Sequence, residues 1–319
     1  METLLGWTLM GKLENEVKND SYMTVLSLHV NNKSISDLWS LDTLGILDPA
    51  NKQSQMEIEK ETENLFLNSV KQDGDGRYVV SLPWLEDHPV LPSNKTLAEK
   101  RLKNTVDRIK NLGILQDYEN VFEDWKKEGI VEELNSEDLK DSKCHYLPHR
   151  PVIKDNSTTR MRPVFDGSAK SKLSPSLNDC LITGSNLVEL IPSLINRFRI
   201  GKYGVIADIR KAFLQIQLND SDKDYLRFLW WQNNSCHQSN NVKIYRHCRV
   251  VFGIKSSPFL LGATLNHLLD GASDCYKMTA QHLQKSMYVD NCVASVKSEA
   301  DLTKFINEST KVMALGKFD

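Results

Sequence analysis

From residue 196 onward, short apolar strands alternate with helices, and that order narrows the fold more than any other feature of the chain. KYGVIAD (202–208) is a nearly continuous apolar strand ending in an acid, and IRKAFLQIQLNDSDKDY follows it before a second strand, YLRFLWW. RVVFG (249–253) leads into SSPFLLGATLNHLLDG, a helix with Ser257 at the N-cap, Pro258 at N1 and Gly271 just past its end. SMYVDNCVAS (286–295) reads as a hairpin, and a last helix runs from Ser298, with Asp301 three residues on, to Leu315-Gly316. Strand, helix, strand, helix, hairpin, helix predicts an α+β unit: an antiparallel sheet covered by helices on one face.

Within the hairpin, Asp290-Asn291 takes the two-residue turn, because Asp and Asn tolerate left-handed backbone angles. Two readings are open: an ordinary turn, or a carboxylate held at a hairpin tip because something needs it there. Asp208 bears on the choice. If its strand neighbours the hairpin, Asp208 and Asp290 project at the same end of the sheet. Two carboxylates plus substrate phosphates are the usual way to hold Mg²⁺, which keeps several of its waters.

Upstream, YVVSLPWLEDHPVLPSN from Tyr78 reads as a strand and a proline-held extended segment. Thr96 and Glu99 make a capping box, and Leu102, Val106 and Ile109 form an apolar stripe that stops before Gly113. Tyr118, Val121, Phe122 and Trp125 form a second stripe ending at Gly129. CHYLPHRPVI and TRMRPVFDGSA, joined by KDNST, have a hairpin pattern. The first seventy residues read as a short strand, LLGWTLMGKLE, and then a polar linker that includes NKQSQMEIEKETEN.

At 319 residues the chain has room for two or three domains. No apolar run approaches a membrane span and no leader is visible, so the expected setting is intracellular and soluble, with no membrane partner. Six scattered cysteines without CxxC spacing exclude a disulfide framework. Cys236-His237 and His247-Cys248 place ligands side by side, which strains zinc geometry; two strand ends flanking a polar loop is the plainer reading. The net charge of −2 does not suggest a general nucleic-acid binder, yet Lys143 to Lys172 carries seven Lys or Arg against two acids. That strip can serve phosphates or be a solvated face.

ADIRKAFLQI, VFGIKSSPFLLGATL and YVDN, in this order, resemble the palm motifs of reverse transcriptases. RFLWW, RPVFDGSAK and YVVSLPWLEDHPVLPSN extend the resemblance, which is closest to the Pao/BEL group of long-terminal-repeat retrotransposons and covers the chain from Tyr78 onward. It implies a right-hand polymerase fingers/palm with an antiparallel palm sheet. The expected plan is a small β remnant of an aspartic protease end over 1–20, a linker over 21–77, an N-terminal extension and fingers over 78–195, and the palm over 196–319. The retroviral-type polyprotein would place thumb, RNase H and integrase beyond this stretch.

The resemblance also implies roles. Asp208 and Asp290 are the catalytic carboxylates holding Mg²⁺ (Mn²⁺ as substitute), with the carbonyl of Ile209 assisting. Phe213 is an aromatic gate under the incoming sugar, or else a core aromatic. Gly253 and the Lys255, Ser257 and Pro258 stretch lie near nucleotide and template. Lys154 and Arg162 grip the triphosphate, Arg by its forked donors and Lys by its point charge. Asp166 is a structural acid or simply a turn residue before Gly167. The implied partners are an RNA or DNA template with its primer and deoxynucleoside triphosphates, in the cytoplasm or within virus-like particles.

The sequence departs from the family at Asn291, where most relatives carry a second acid; an amide can coordinate through oxygen but brings no charge. Reduced rather than abolished activity is the expectation. The spacing from Lys154 to Arg162 is one residue longer than in retroviral relatives. LLGWTLMGK resembles the last strand of the preceding protease, but no Asp-Thr-Gly or Asp-Ser-Gly occurs, which excludes protease activity. The alternative to a polymerase is a catalytically impaired nucleic-acid-binding remnant of a decayed transposon, and after that a purely structural fragment.

Overall fold

The apolar run at 203–208 forms a strand, and its partners define the sheet around which the rest is arranged. In a computed structural model of the chain the described residues are 2–3, 6–7, 49–135, 143–153, 161–231 and 242–319. They divide into two units, Met1–Glu57 and Ile58–Asp319. In the first, β1 (Glu2–Thr3) pairs antiparallel with β2 (Gly6–Trp7), and the rest of the expected protease-like strand lies outside the described residues.

The polar stretch read as a linker is instead helical. α1 (Pro49–Ser69) is free of interior Gly and Pro and rich in Glu, Lys and Gln, good helix formers. The larger unit begins at Ile58 within it, and Thr62 and Phe66, one turn apart, are buried. β3 (Lys71–Gln72) and β4 (Tyr78–Val80) follow, with β4 parallel to β9 (Gln217–Leu218).

α2 (Lys95–Asn111) buries Ala98, Leu102, Val106 and Ile109, and α3 (Leu115–Lys127) buries Tyr118, Phe122 and Trp125, as the stripes predict. The expected capping box is absent. Asn94 precedes the helix in a left-handed conformation, and its amide donates to the carbonyls of Tyr146 and Ala169 rather than capping. β5 (Val131–Glu133) leads to the predicted hairpin, β6 (His149–Ile153) against β7 (Met161–Phe165).

The strand Tyr203–Asp208, β8, lies at the edge of a three-stranded antiparallel sheet whose centre is β13 (Asn291–Val296) and whose other edge is β12 (Met287–Tyr288). Among the described residues the strand ending in Asp208 is therefore an edge strand. Cys292, Ala294 and Val296 alternate inward and are buried. α6 (Ser257–Asp270), α7 (Lys277–Gln284) and α8 (Glu299–Leu315) pack behind the sheet, with Ser298 capping α8 through the Asp301 N–H as expected. The helices are not confined to that face. α4 (Ile191–Phe198) lies across the far end of the other, its Phe198 ring filling the space a Cβ at Gly204 would take. The half near Asp208 is open, with Ile206 73% exposed.

Ser257 does not cap α6. The helix starts after Ser256, and the Ser257 hydroxyl donates to the Val251 carbonyl at 2.7 Å, buried. Gly271 ends the helix with a negative φ, so the left-handed C-cap is absent.

β10 (Arg227–Trp231), β11 (Val242–His247) and β5 form a second antiparallel sheet. His149 and His247 are buried among Phe165, Phe228 and their aromatic neighbours. His149 is bridged to Tyr118 and the Leu229 carbonyl, whereas both His247 nitrogens lack a partner among the described residues. His247 is thus a core ring; Cys236 and His237, the other half of the zinc pattern, lie outside the described residues.

Burial holds the pKa of His149 down at about 4 and that of His247 at about 3. A base whose folded pKa is lowered stabilises the fold above its unfolded value near 6.5, and that stability is lost as pH falls toward the folded value. His247→Phe should therefore raise stability at pH 7 by about 1–3 kcal/mol, by removing two unpaired buried nitrogens. It should also shallow the acid limb of a urea-unfolding series between pH 7 and 4. Gly253→Ala should cost about 4 kcal/mol or more, since φ is +100° and a Cβ would lie 1.7 Å from the Phe165 carbonyl oxygen. Gly262→Ala, with open space around it, should be neutral or stabilising by up to about 1 kcal/mol.

Candidate active site

Asp208 and Asn291 are cross-strand partners at the open end of the sheet, and the Ile209 N–H donates to the Asp290 carbonyl at 2.8 Å. This register brings the two acids together. It also shifts the turn one residue earlier than the sequence suggests. Tyr288 pairs with Asn291, so Val289-Asp290 makes the turn and Asn291 belongs to the strand. Val289 takes a φ of +56°, a strained conformation for a β-branched residue, and the kind of cost that concentrates at functional sites.

Asp208 and Asp290 line a cavity of about 200 Å³. Arg162 from β7 enters it from one side, and Lys211 and Phe252 form other parts of the wall. Trp125 and Glu128, at the end of α3 and just beyond, close it. The Asp290 carboxyl is raised above its usual pKa, chiefly by burial and then by the charge of Asp208, while Arg162 and the Asn291 amide pull the other way. Asn291 Nδ2 donates to Asp290 Oδ1 at 2.9 Å. The Asn291 amide therefore steadies the neighbouring carboxylate.

No group of three or more His, Cys, Asp or Glu gathers for a metal among the described residues. Asp290, whose proton affinity burial and the Asp208 charge raise, nonetheless makes with Asp208 a donor set that suits a hard dication, and Mg²⁺ needs few protein ligands. The Asp208–Asp290 pair fits such an ion.

The other predicted positions separate. Phe213 is buried, its ring edge-on to Phe252 at 4.5 Å, and Phe252 rather than Phe213 faces the cavity. Gly253, Lys255, Ser257 and Pro258 are not among its lining residues. Gly253 serves a close approach, but to the backbone of Phe165. Asn178, which sequence reasoning missed, ties these loops together. Its Oδ1 accepts the Lys255 N–H at 2.9 Å, and its Nδ2 donates to Ser168 Oγ and to the Gly253 carbonyl. Asp166 is both structural acid and turn residue, pairing with Arg101 and accepting the Ser168 N–H. Lys154 lies outside the described residues. Lys211, also missed, takes a left-handed conformation at φ +51° and places its ammonium on both Glu128 oxygens, at 2.7 and 2.8 Å. A lysine at a left-handed turn carries no sequence signal.

A family model for the reverse transcriptase (RNA-dependent DNA polymerase) domain matches residues 153–315, a little over half of the chain and a span that holds Asp208, Asp290 and Arg162. The chain belongs to the reverse transcriptase family. As a reverse transcriptase domain it is of the nucleotidyltransferase class, RNA-directed DNA polymerases that work on a nucleic-acid template and primer with deoxynucleoside triphosphates. No curated protein matches the chain. Among the described residues, no helix of this reverse transcriptase domain is long and apolar enough to cross a membrane.

An acid with a raised pKa pays for its ionisation in the folded state above that pKa, and the cost vanishes below the unfolded value. Asp290→Asn should therefore raise the melting temperature at pH 7, and the gain should disappear near pH 3. A thermal-shift series across pH checks this, and a variant less stable than the parent at pH 7 contradicts it.

Proposed function

We propose that the chain carries the fingers and palm of a Pao/BEL-type retrotransposon reverse transcriptase and transfers deoxynucleotides to a primer 3′-hydroxyl. One observation carries the reading: Asp208, Asp290 and Arg162 line a single cavity although they come from three separate stretches of chain. The primer oxygen forms a bond to the α-phosphorus as the bond to the β-phosphate oxygen breaks, and pyrophosphate leaves.

Asp208 and Asp290, with the Ile209 carbonyl, would hold Mg²⁺, or Mn²⁺ in its place. When bound, such ions lower the pKa of the attacking hydroxyl and neutralise charge on the leaving oxygens. Arg162 lies opposite the acids with a forked donor set suited to the triphosphate. Phe252, backed by Phe213, forms an apolar wall where an incoming sugar would rest, and a wall of that kind disfavours a 2′-hydroxyl. Gly253, Lys255, Ser257 and Pro258 hold the loop that carries Phe252. The open face around Ile206 is the surface on which a primer–template would lie. The Lys143–Lys172 strip, including Lys154, supplies positive charge for the template backbone.

Primer extension on an RNA template with Mg²⁺, then Mn²⁺, tests the reading. The parent should extend, Asp208→Asn should not, and Arg162→Ala should raise the KM for deoxynucleotide by roughly ten- to a hundredfold, as expected for a lost charged hydrogen bond. Asn291→Asp should raise the rate or the Mg²⁺ affinity. Undiminished extension by Asp208→Asn would sink the assignment. Extension confined to Asn291→Asp would identify Asn291 as a lesion, and salt-dependent binding without extension by any variant would favour the impaired remnant.

A further inference from the structure

Beside the candidate active site lies a second crevice of about 280 Å³ that shares Glu128 and Lys211 with it as common wall. Its remaining charged lining residues are Arg77, Arg210, Arg249 and Asp319. Four cations thus face two acids. One of those acids, Glu128, is already engaged by Lys211.

Among the described residues these arginines have no carboxylate within ion-pair distance. Arg77 donates to the Gln215 carbonyl and to Gln215 Oε1, at 2.7 and 2.9 Å, both neutral. Arg249 donates through Nη1 to Gln217 Oε1 at a long 3.3 Å, and its Nε is buried without a partner among the described residues. Asp73 acts on Arg249 at a distance, but its Oδ1 accepts the backbone N–H groups of Asp75 and Arg77. Burial, with Arg77 adding repulsion, lowers the Arg249 pKa to about 10. Guanidinium groups crowded together and partly desolvated with little counter-charge are costly, and forked donors of this kind match phosphate oxygens. The crevice is far too small for a duplex but suits a small polyanion.

We propose that this crevice is a phosphate-class anion site that receives pyrophosphate from the neighbouring cavity, with Arg77, Arg249 and Arg210 as its donors and the Lys211–Glu128 ion pair as the partition between the two. The assignment of the anion as product rests on the polymerase reading; the anion site itself does not. Lys211 can release Glu128 and follow the anion, since its ammonium borders both spaces.

Calorimetric titration of the full chain with sodium pyrophosphate, without divalent cation, tests it. Arg77→Gln and Arg249→Gln should each weaken binding roughly tenfold or more, as for loss of a charge-assisted contact. Lys304→Gln, an exposed residue that lines neither cavity, should leave it nearly unchanged. Arg210→Gln, on an exposed side chain, keeps the test open should Arg249→Gln unfold. Binding that is absent in the parent, or lost in Arg162→Gln but kept in Arg77→Gln and Arg210→Gln, overturns the site. Tighter binding of deoxythymidine triphosphate than of pyrophosphate through the same arginines overturns the product assignment. If primer extension fails while the arginine-dependent binding persists, the polymerase reading falls and the anion site stands.

Discussion

The active end of the molecule depends on one register: Asp208 opposite Asn291, locked by the Ile209 N–H to the Asp290 carbonyl. Side chains alternate faces along a strand, so a slip of one residue would turn either Asp208 inward or the buried Cys292, Ala294 and Val296 outward, depending on which strand moved. The core therefore enforces the register, and the register in turn brings the two carboxylates together. Val289 bears the cost. With Asn291 drawn into the ladder, only two residues remain for the turn, and a valine must adopt a left-handed backbone.

Around that register, the loops that complete the cavity are held by contacts between distant stretches. Gly253 passes so close to Phe165 that no side chain fits, and Asn178 fastens the same loop to Ser168. β7, which carries Arg162, is thus tied to the loop that carries Phe252. A cavity walled by both inherits its shape from this junction, and the rigidity of the junction is what a preorganised phosphate site needs.

Much of this was legible from sequence because it depends on local pattern. The strand ending in Asp208, the stripes of α2 and α3, the hairpin of β6 and β7 and the Ser298 cap all follow from periodicity or short-range chemistry. What was illegible depends on partners far along the chain. Ser257 has the chemistry of a cap but spends its hydroxyl on Val251, and Asn94 reaches Tyr146 and Ala169 instead of capping its own helix. Phe213 and Phe252 are both aromatic residues on short apolar segments, and only packing decides which one faces the cavity. Asn178 and Lys211 carry no signal at all, since an amide in a loop and a lysine at a left-handed turn are met everywhere. The turn itself was misread by one residue because Asp-Asn is the better turn pair in isolation, and the tertiary register outweighs that preference.

The charges at this end of the molecule are arranged in sequence rather than balanced in place. The charge of Asp208 acts on the partly buried Asp290, which favours a cation; Arg162 lines the same cavity, which favours an anion between. Beyond the Lys211–Glu128 pair the sign changes to an excess of positive charge, with no carboxylate paired to its arginines among the described residues. Local neutralisation would have been the more stable arrangement, since paired groups cost less than separated ones in a low dielectric. Keeping the two excesses apart, with one ion pair between them, spends that stability on a field that draws a cation to one side and an anion to the other. Such a separation suits the proposed reaction, whose substrate would arrive as a polyanion with a cation and whose product would leave as a smaller polyanion.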